Sequence, residues 1–199
     1  MVSKEYFLTF ELRRKIFHFL VGIFLVFLIV VDFDNLELIL VALLVFAILL
    51  SVICKYKKPR YILYFLELFD KPKDLEKFPG KGAIYYLIGT LVSIILFERS
   101  TAAASVIILA VGDPLAHVFG RYYGKRKLII NEKKLLEGTL GGVFFATLAA
   151  SFFVPWPVAF FGAAFGMIAE AIEIEYLNLD DNFFIPFVSG LIMQIIQSL

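Results

Sequence analysis

Four groups of polar residues interrupt an otherwise apolar chain, and each is composed for handling phosphate or metal. Glu11, Arg14, Lys15 and His18 recur at i, i+3, i+4 and i+7, so a helix carries all four on one stripe. A solvated flank of a membrane helix is the plain alternative, but it needs no carboxylate and imidazole there. Val111-Gly112-Asp113-Pro114 sets a carboxylate in apolar sequence, then a residue that removes a backbone donor and disturbs a helix. An ionised Asp at bilayer depth costs about 2.5–3.5 kcal/mol on insertion scales, so Asp113 must face a partner or a wet cavity.

The third group is Gly120-Arg121-Tyr122-Tyr123-Gly124-Lys125-Arg126-Lys127, followed by Lys133-Lys134 and Glu137-Gly138-Thr139-Leu140-Gly141-Gly142. Glycines let backbone N–H groups approach an anion, and a helix beginning near Thr139 would turn its positive end toward phosphate. It is not a Walker A loop, because only three residues separate the first two glycines and no Ser or Thr follows Lys125. The competing reading is a basic loop that touches anionic lipid and nothing more.

The fourth group holds Glu170, Glu173 and Glu175, then Asp180, Asp181 and Asn182. Glu170 and Glu173 share a helix face. Hard oxygen ligands of this kind suit Mg²⁺, which takes one or two carboxylates plus substrate phosphates. An acidic membrane flank is the alternative. His117 reads as a packing or interfacial histidine. Cys54 is the one cysteine, which excludes an intramolecular disulfide and a cysteine-based metal cluster.

The elements that must position these groups are membrane helices. Of the 199 residues 61% are hydrophobic, with 23 Phe and 9 Tyr, and the mean hydropathy is +0.88, far above soluble domains. A ruler of about 20 apolar residues gives about seven spans. They run Ile16 to Val31, Leu36 to Cys54, Ala83 to Phe97, Thr101 to Phe119, Thr139 to Val154, Val158 to Ile174 and Phe183 to Ser198. Residues 61–69 are too short to cross and are expected in the interface. Gly162 and Gly166 form a small-xxx-small pair that marks close helix packing.

The expected fold is all-α: one polytopic helical bundle over residues 1–199, with cytoplasmic loops 55–82 and 120–138 and an acidic cytoplasmic turn at 175–182. Orientation follows from charge. With the N-terminus cytoplasmic, all but Arg99 of the 19 Lys and Arg fall inside, which satisfies the positive-inside rule. An odd number of spans then leaves the C-terminus outside. Basic groups, carboxylates and apolar walls on one side of the bilayer fit the joining of a nucleotide to a lipid alcohol.

At these residues the sequence resembles the CTP-dependent polyprenol kinase family, which includes dolichol kinases, phytol kinases and CTP-dependent diacylglycerol kinases. The matching stretches are Glu11 through His18, Gly112-Asp113 through Gly120-Arg121 and Gly124, Lys133-Lys134 through Glu137-Gly138-Thr139, and Asp180-Asp181-Asn182 through Pro186. Lys134 departs from the Ser or Thr that many members carry. The resemblance implies phosphoryl transfer from CTP to a membrane alcohol, a polyprenol or dolichol first, with shorter prenol, phytol-like and diacylglycerol acceptors left open, and with a divalent cation such as Mg²⁺. It implies catalytic roles for Asp113, His18 and Asp181, with the general base left open among them. The CTP phosphates would be held by Arg14, Lys15, Gly120, Arg121, Gly124, Lys127, Lys133, Lys134, Glu137, Gly138, Thr139 and Asn182. The metal would be held among Asp113, Glu170, Glu173, Asp180 and Asp181.

The expected partners are therefore CTP, a lipid alcohol and the bilayer, with no nucleic acid and with homo-oligomerisation left open. The expected location is a prokaryotic plasma membrane, the site facing the cytoplasm. Two other functions stay open: a cytidylyltransferase that leaves CMP on the lipid, and a non-enzymatic lipid transporter or binding protein.

Overall fold

The computed structural model describes residues 4–172 and 180–199, and within them the chain is helical, with no strand beyond an isolated bridge from Lys127 to Leu135. The helices are α1 (Lys4–Val30), α2 (Leu36–Lys57), α3 (Arg60–Glu67), α4 (Pro72–Lys77), α5 (Lys81–Leu96), α6 (Arg99–Tyr123), α7 (Leu136–Ala150), α8 (Trp156–Ile172) and α9 (Asp181–Gln197).

The axis of the bundle is α6. Every residue from Thr101 to Pro114 is buried, as a helix made of Ala, Ile, Leu and Val on all sides must be. Around it pack α1, α5, α7, α8 and α9. Pro114 was expected to disturb this helix, yet α6 runs unbroken to Tyr123. Packing from several sides outweighs the one backbone bond that proline removes. The uninterrupted helix sets Asp113, His117, Gly120 and Arg121 on one face.

The contact of α6 with α7 is a ladder of small residues. Gly112, Ala116 and Gly120 on α6 meet Gly138, Gly142 and Ala146 on α7, each set spaced by four. A Cβ on Gly138 would stand 2.6 Å from the Ala116 carbonyl oxygen and 2.9 Å from Gly120 Cα. Backbones this close leave room for no side chain. Gly162 and Gly166 on α8 likewise sit against Met193 and Ser189 of α9.

Among the described residues α2 and α6 are long and apolar enough to cross a membrane, while α5, α7 and α8 are shorter apolar helices. The core position of α6 would suit a soluble protein too. The surface of α2 would not: Leu38, Phe46 and Leu49 lie open on it, as do Phe24 and Phe27 on α1. Large apolar side chains exposed along both helices point to lipid rather than water as their solvent. The chain is a membrane protein.

Element boundaries depart from expectation in the two long connections. Residues 55–82 are largely helical, holding the end of α2, all of α3 and α4 and the start of α5. In 120–138, α6 takes the first residues and α7 starts at Leu136, three residues before Thr139, whose N–H already bonds the Leu135 carbonyl at 3.1 Å. Most of the turn at 175–182 lies outside the described residues.

The α6–α7 ladder predicts that Gly138→Ala lowers the Tm in detergent, because overpacking costs about 1–3 kcal/mol. Gly82→Ala is the control, since its Cβ would meet nothing closer than 3.5 Å. Equal Tm values for the two variants would contradict the ladder.

Candidate active site

One end of the bundle gathers the polar stripes of α1 and α6. Lys15 Nζ donates to both carboxylate oxygens of Asp113, at 2.6 and 2.5 Å, and both residues are buried. One residue earlier, Arg14 donates to Glu11 at 2.8 Å. His18, one turn further along α1, places Nε2 3.8 Å from Asp113 Oδ2. That Nε2 is buried without a hydrogen-bond partner. Its ring meets Tyr86 of α5 edge-on at 4.6 Å, where the Tyr86 hydroxyl packs in the space that Gly22 leaves open.

A cleft of about 380 Å³ opens over Glu11, Arg14, Lys15 and Asp113. Its cationic wall is Arg14, Lys15, Lys71, Arg121, Lys133 and Lys134; Asp113, Glu170 and Asp181 face the same space, as do Gly120, Gly138 and Thr139. Lys134 pairs with Glu170. Burial alone would lower the Lys134 pKa, but the Glu170 carboxylate beside it holds it raised.

Two local structures deliver the lysines. The segment between α6 and α7 folds back as a tight turn, with Leu136 N–H on the Arg126 carbonyl at 2.8 Å and Leu128 N–H on the Lys134 carbonyl at 3.0 Å. Asn131 Nδ2 pins that turn to the Ala171 carbonyl of α8 at 3.0 Å. Lys71 is brought in by α3 and α4. Arg13 Nε donates to the Leu68 carbonyl at 2.8 Å, and Phe17 and Phe69 pack with ring centroids 4.4 Å apart. The Gly80 N–H then closes the segment on Asp70 Oδ2 at 2.5 Å. Gly80 has φ +76°, which a residue with a side chain adopts at a cost.

A second cleft of about 270 Å³ adjoins the first and shares Arg14, Lys71 and Asp181 with it. Phe17, Val21 and Leu25 of α1 and Ala83 and Leu87 of α5 give it an apolar wall, and Asp70 and Asp74 stand in it on the side of α4. His18, Tyr86, Asp180 and Asn182 also line it.

The cleft thus unites Arg14, Lys15, Asp113, Gly120, Arg121, Lys133, Lys134, Gly138, Thr139, Glu170 and Asp181. Several other expected residues stand elsewhere. Lys127 is exposed with Glu132 at 3.7 Å. Glu137 accepts from the Lys125 and Arg126 N–H groups, which hold its pKa low and bind it to the turn. Gly124 packs beneath Leu135 where α6 ends. His18, Asp180 and Asn182 belong to the apolar cleft, where Asn182 Nδ2 donates to the Gly82 carbonyl at 3.0 Å. Burial and the neighbouring Asp181 charge push Asp180 up to about 8. Glu173 lies outside the described residues. Lys71 and His117 line the cleft without having been anticipated. Nothing in the sequence sets Lys71 apart from its neighbouring lysines, but His117 could have been found one helical turn after Asp113.

Comparison with known proteins sets this geometry among relatives. An uncharacterised protein of Methanocaldococcus jannaschii is 30% identical over 186 residues, covering 92% of both chains. A CTP-dependent diacylglycerol kinase of Eremothecium gossypii is 28% identical over 228 residues, covering 98% of this chain and 71% of its own. A probable chloroplastic phytol kinase of Oryza sativa is 29% identical over 137 residues, or 61% of this chain and 42% of its own. The chain belongs to the CTP-dependent polyprenol kinase family. No protein-family model and no solved structure matches it.

The Lys15–Asp113 pair generates a stability prediction. Lys15→Met leaves Asp113 charged and buried without a partner, a loss of about 3–5 kcal/mol, whereas the double variant Lys15→Met/Asp113→Leu removes both charges and recovers most of it. Thermal unfolding in detergent reads the difference. Additive losses in the double variant would show that the two residues do not depend on each other.

Proposed function

We propose that this chain is a CTP-dependent lipid kinase that transfers the γ-phosphate of CTP to the hydroxyl of a membrane lipid alcohol, a polyprenol or dolichol, and releases CDP. The observation that carries the reading is the pairing of two clefts across one wall. A cationic cleft suits a triphosphate, an apolar one suits a hydrocarbon, and Arg14, Lys71 and Asp181 stand between them. The names of the relatives from Eremothecium gossypii and Oryza sativa support the same chemistry.

Phosphoryl transfer rests mainly on positioning and charge neutralisation. Arg14, Lys15, Lys71, Arg121, Lys133 and Lys134 bind the phosphate oxygens, with the backbones at Gly120 and Gly138 approaching closely. His18 Nε2, unpartnered beside the apolar cleft, takes the hydroxyl proton as the lipid oxygen bonds to the γ-phosphorus and the bond to the β-phosphate oxygen breaks. Both oxygens of Asp113 are already engaged by Lys15, which makes this carboxylate the weaker base.

The donor set fits Mg²⁺, which takes one or two carboxylates and completes its shell with phosphates and water. Asp113 and Asp181 would hold it, and when bound it supplies charge neutralisation on the phosphate oxygens. Lys134 holds Glu170 as Lys15 holds Asp113, so an exchange onto phosphate would free either carboxylate to join Asp181; Asp180, in the neighbouring cleft, is left out of that set.

The same reading places seven spans in a prokaryotic plasma membrane with both clefts cytoplasmic, supported by the position of all but Arg99 of the 19 Lys and Arg. Labelling of a cysteine at position 125, in a Cys54→Ala background, from the inner side alone is the expected outcome. Labelling from the outer side alone would invert the topology.

CTP labelled at its γ- or α-phosphate separates the enzyme classes. A kinase moves γ-label to the lipid, a cytidylyltransferase moves α-label, and a lipid carrier moves neither. Arg121→Gln should lower kcat/KM for CTP by roughly 10- to 100-fold in neutral detergent, since a charge-assisted contact contributes about 1.5–3 kcal/mol. Lys125→Gln is the control, outside the cleft. α-Label on the lipid, or no label at all, would overturn the kinase.

A further inference from the structure

Two neighbouring stripes run along the first turns of α1. Glu11, Arg14 and Lys15 turn to the cationic cleft, while Phe10, Arg13 and Phe17, at i, i+3 and i+7, share the adjoining face. Arg13 lines neither cleft; it borders a shallow apolar groove on the outside of the bundle, with Leu12, Ile16 and Leu20.

The connection between α3 and α4 docks on this second face. The Arg13 guanidinium stands over the Phe10 and Phe69 rings, 5.8 and 5.9 Å from their centroids, and its Nε donates to the Leu68 carbonyl at 2.8 Å. Phe17 packs on the same Phe69 ring. A planar guanidinium can lie over a ring and donate in its own plane at once, which an aliphatic side chain cannot do. The hydrophobic core takes no residue from α3 or α4, so these two helices depend on local ties of this kind.

From Leu68 the constraint passes to Lys71, three residues on. Asp70 is held between them by the Gly80 N–H. Pro72 restricts the backbone of the residue before it, and Lys71 has the extended φ −65° and ψ 140° that this restriction favours. Its carbonyl accepts from the Asp74 and Leu75 N–H groups at 2.9 and 3.2 Å. With its backbone held on both sides, Lys71 goes where Leu68 and Phe69 are held. That place is the wall between the clefts, where Arg14 and Lys71 are the Arg and Lys side chains common to both.

Resting on the kinase reading, we propose that Arg13 is a positioning residue for the triphosphate: it latches the connection between α3 and α4 onto α1 and so holds Lys71 in the shared wall, while touching neither CTP nor lipid itself. Consecutive residues of α1 thus set the two cations of that wall, Arg14 by its own side chain and Arg13 through Lys71.

The test uses the full chain in detergent. Lys71→Gln should raise KM for CTP roughly 10- to 100-fold, as loss of a charge-assisted contact does. Arg13→Leu, which removes donor and cation together, should raise it at least roughly tenfold, whereas a variant that merely lost folded protein would show a lower kcat at unchanged KM. The double variant Arg13→Leu/Lys71→Gln should match Lys71→Gln alone, because nothing is left to position. Arg13→Lys keeps a donor and a cation and should recover part of the loss. Arg60→Leu, at an exposed cation of α3, should leave KM within about twofold.

A second measurement needs no turnover. Spin labels on Lys73→Cys of α4 and Tyr122→Cys of α6, both exposed positions, in a Cys54→Ala background should give one narrow distance that broadens in Arg13→Leu. Phe69→Leu loosens the same contact from the other side, should broaden the distance and raise KM likewise, and decides the matter if Arg13→Leu does not fold. An unchanged KM for CTP, multiplied effects in the double variant, or an unbroadened distance overturns the proposal. If the distance broadens yet the unaltered chain forms no lipid phosphate from CTP, the hold of Arg13 on Lys71 stands and the kinase reading falls.

Discussion

The salt bridge between Lys15 and Asp113 is the constraint on which the rest of the structure depends. Each charge is buried, and neither could remain ionised inside the bundle without the other. The pair fixes the height of α1 against α6. At the opposite end Asp32 pairs with Arg99, roughly 21 Å away along α6. Between these two points the contact is apolar, with Leu25, Val26 and Ile29 in the core cluster beside the α6 residues. Apolar packing alone tolerates sliding by a turn, but the two pairs do not.

Once α1 has its register, the site assembles from what α6 carries. Asp113 comes to the end of the apolar stretch, and His117, Gly120 and Arg121 follow on the same face. The small-residue ladder then draws α7 against α6, so the Gly138 backbone reaches the cleft wall. A larger residue anywhere in Gly112, Ala116, Gly138 or Gly142 would push α7 outward and take with it the turn that carries Lys133 and Lys134. Packing and chemistry share residues here: Gly120 and Gly138 line the cleft because they are also where the two backbones meet.

Much of this was legible before the fold was known. Arg14 and Lys15, Asp113, Gly120 and Arg121 declare themselves because charge and glycine are expensive in apolar helices and need a reason. The helical stripe from Glu11 to His18 could be read from spacing alone. Nearest-neighbour logic then overreached in the turn. Lys127 and Lys133 look alike in sequence, but the reversal of the chain between them sends one to solvent and the other to the cleft. Glu137 looks like a ligand and instead holds the turn. Pro114 looks like a break, and tertiary packing carries α6 past it. Lys71 was invisible for the opposite reason, because what singles it out is the docking of Leu68 and Phe69 on α1, a contact between distant segments.

Three of the six cations of the cleft already hold a carboxylate. Arg14 has Glu11, Lys15 has Asp113 and Lys134 has Glu170. On the kinase reading a polyanion would therefore enter by exchange, displacing resident carboxylates one at a time rather than filling a vacant positive field. For an anion with a single phosphate the exchange is nearly even, since it replaces one desolvated carboxylate and must also give up its own hydration. A chain of three phosphates makes several exchanges while giving up its freedom of movement once. On the kinase reading the protein's own acids would act as internal competitors, and the cleft would respond to the number of linked phosphates more than to charge as such.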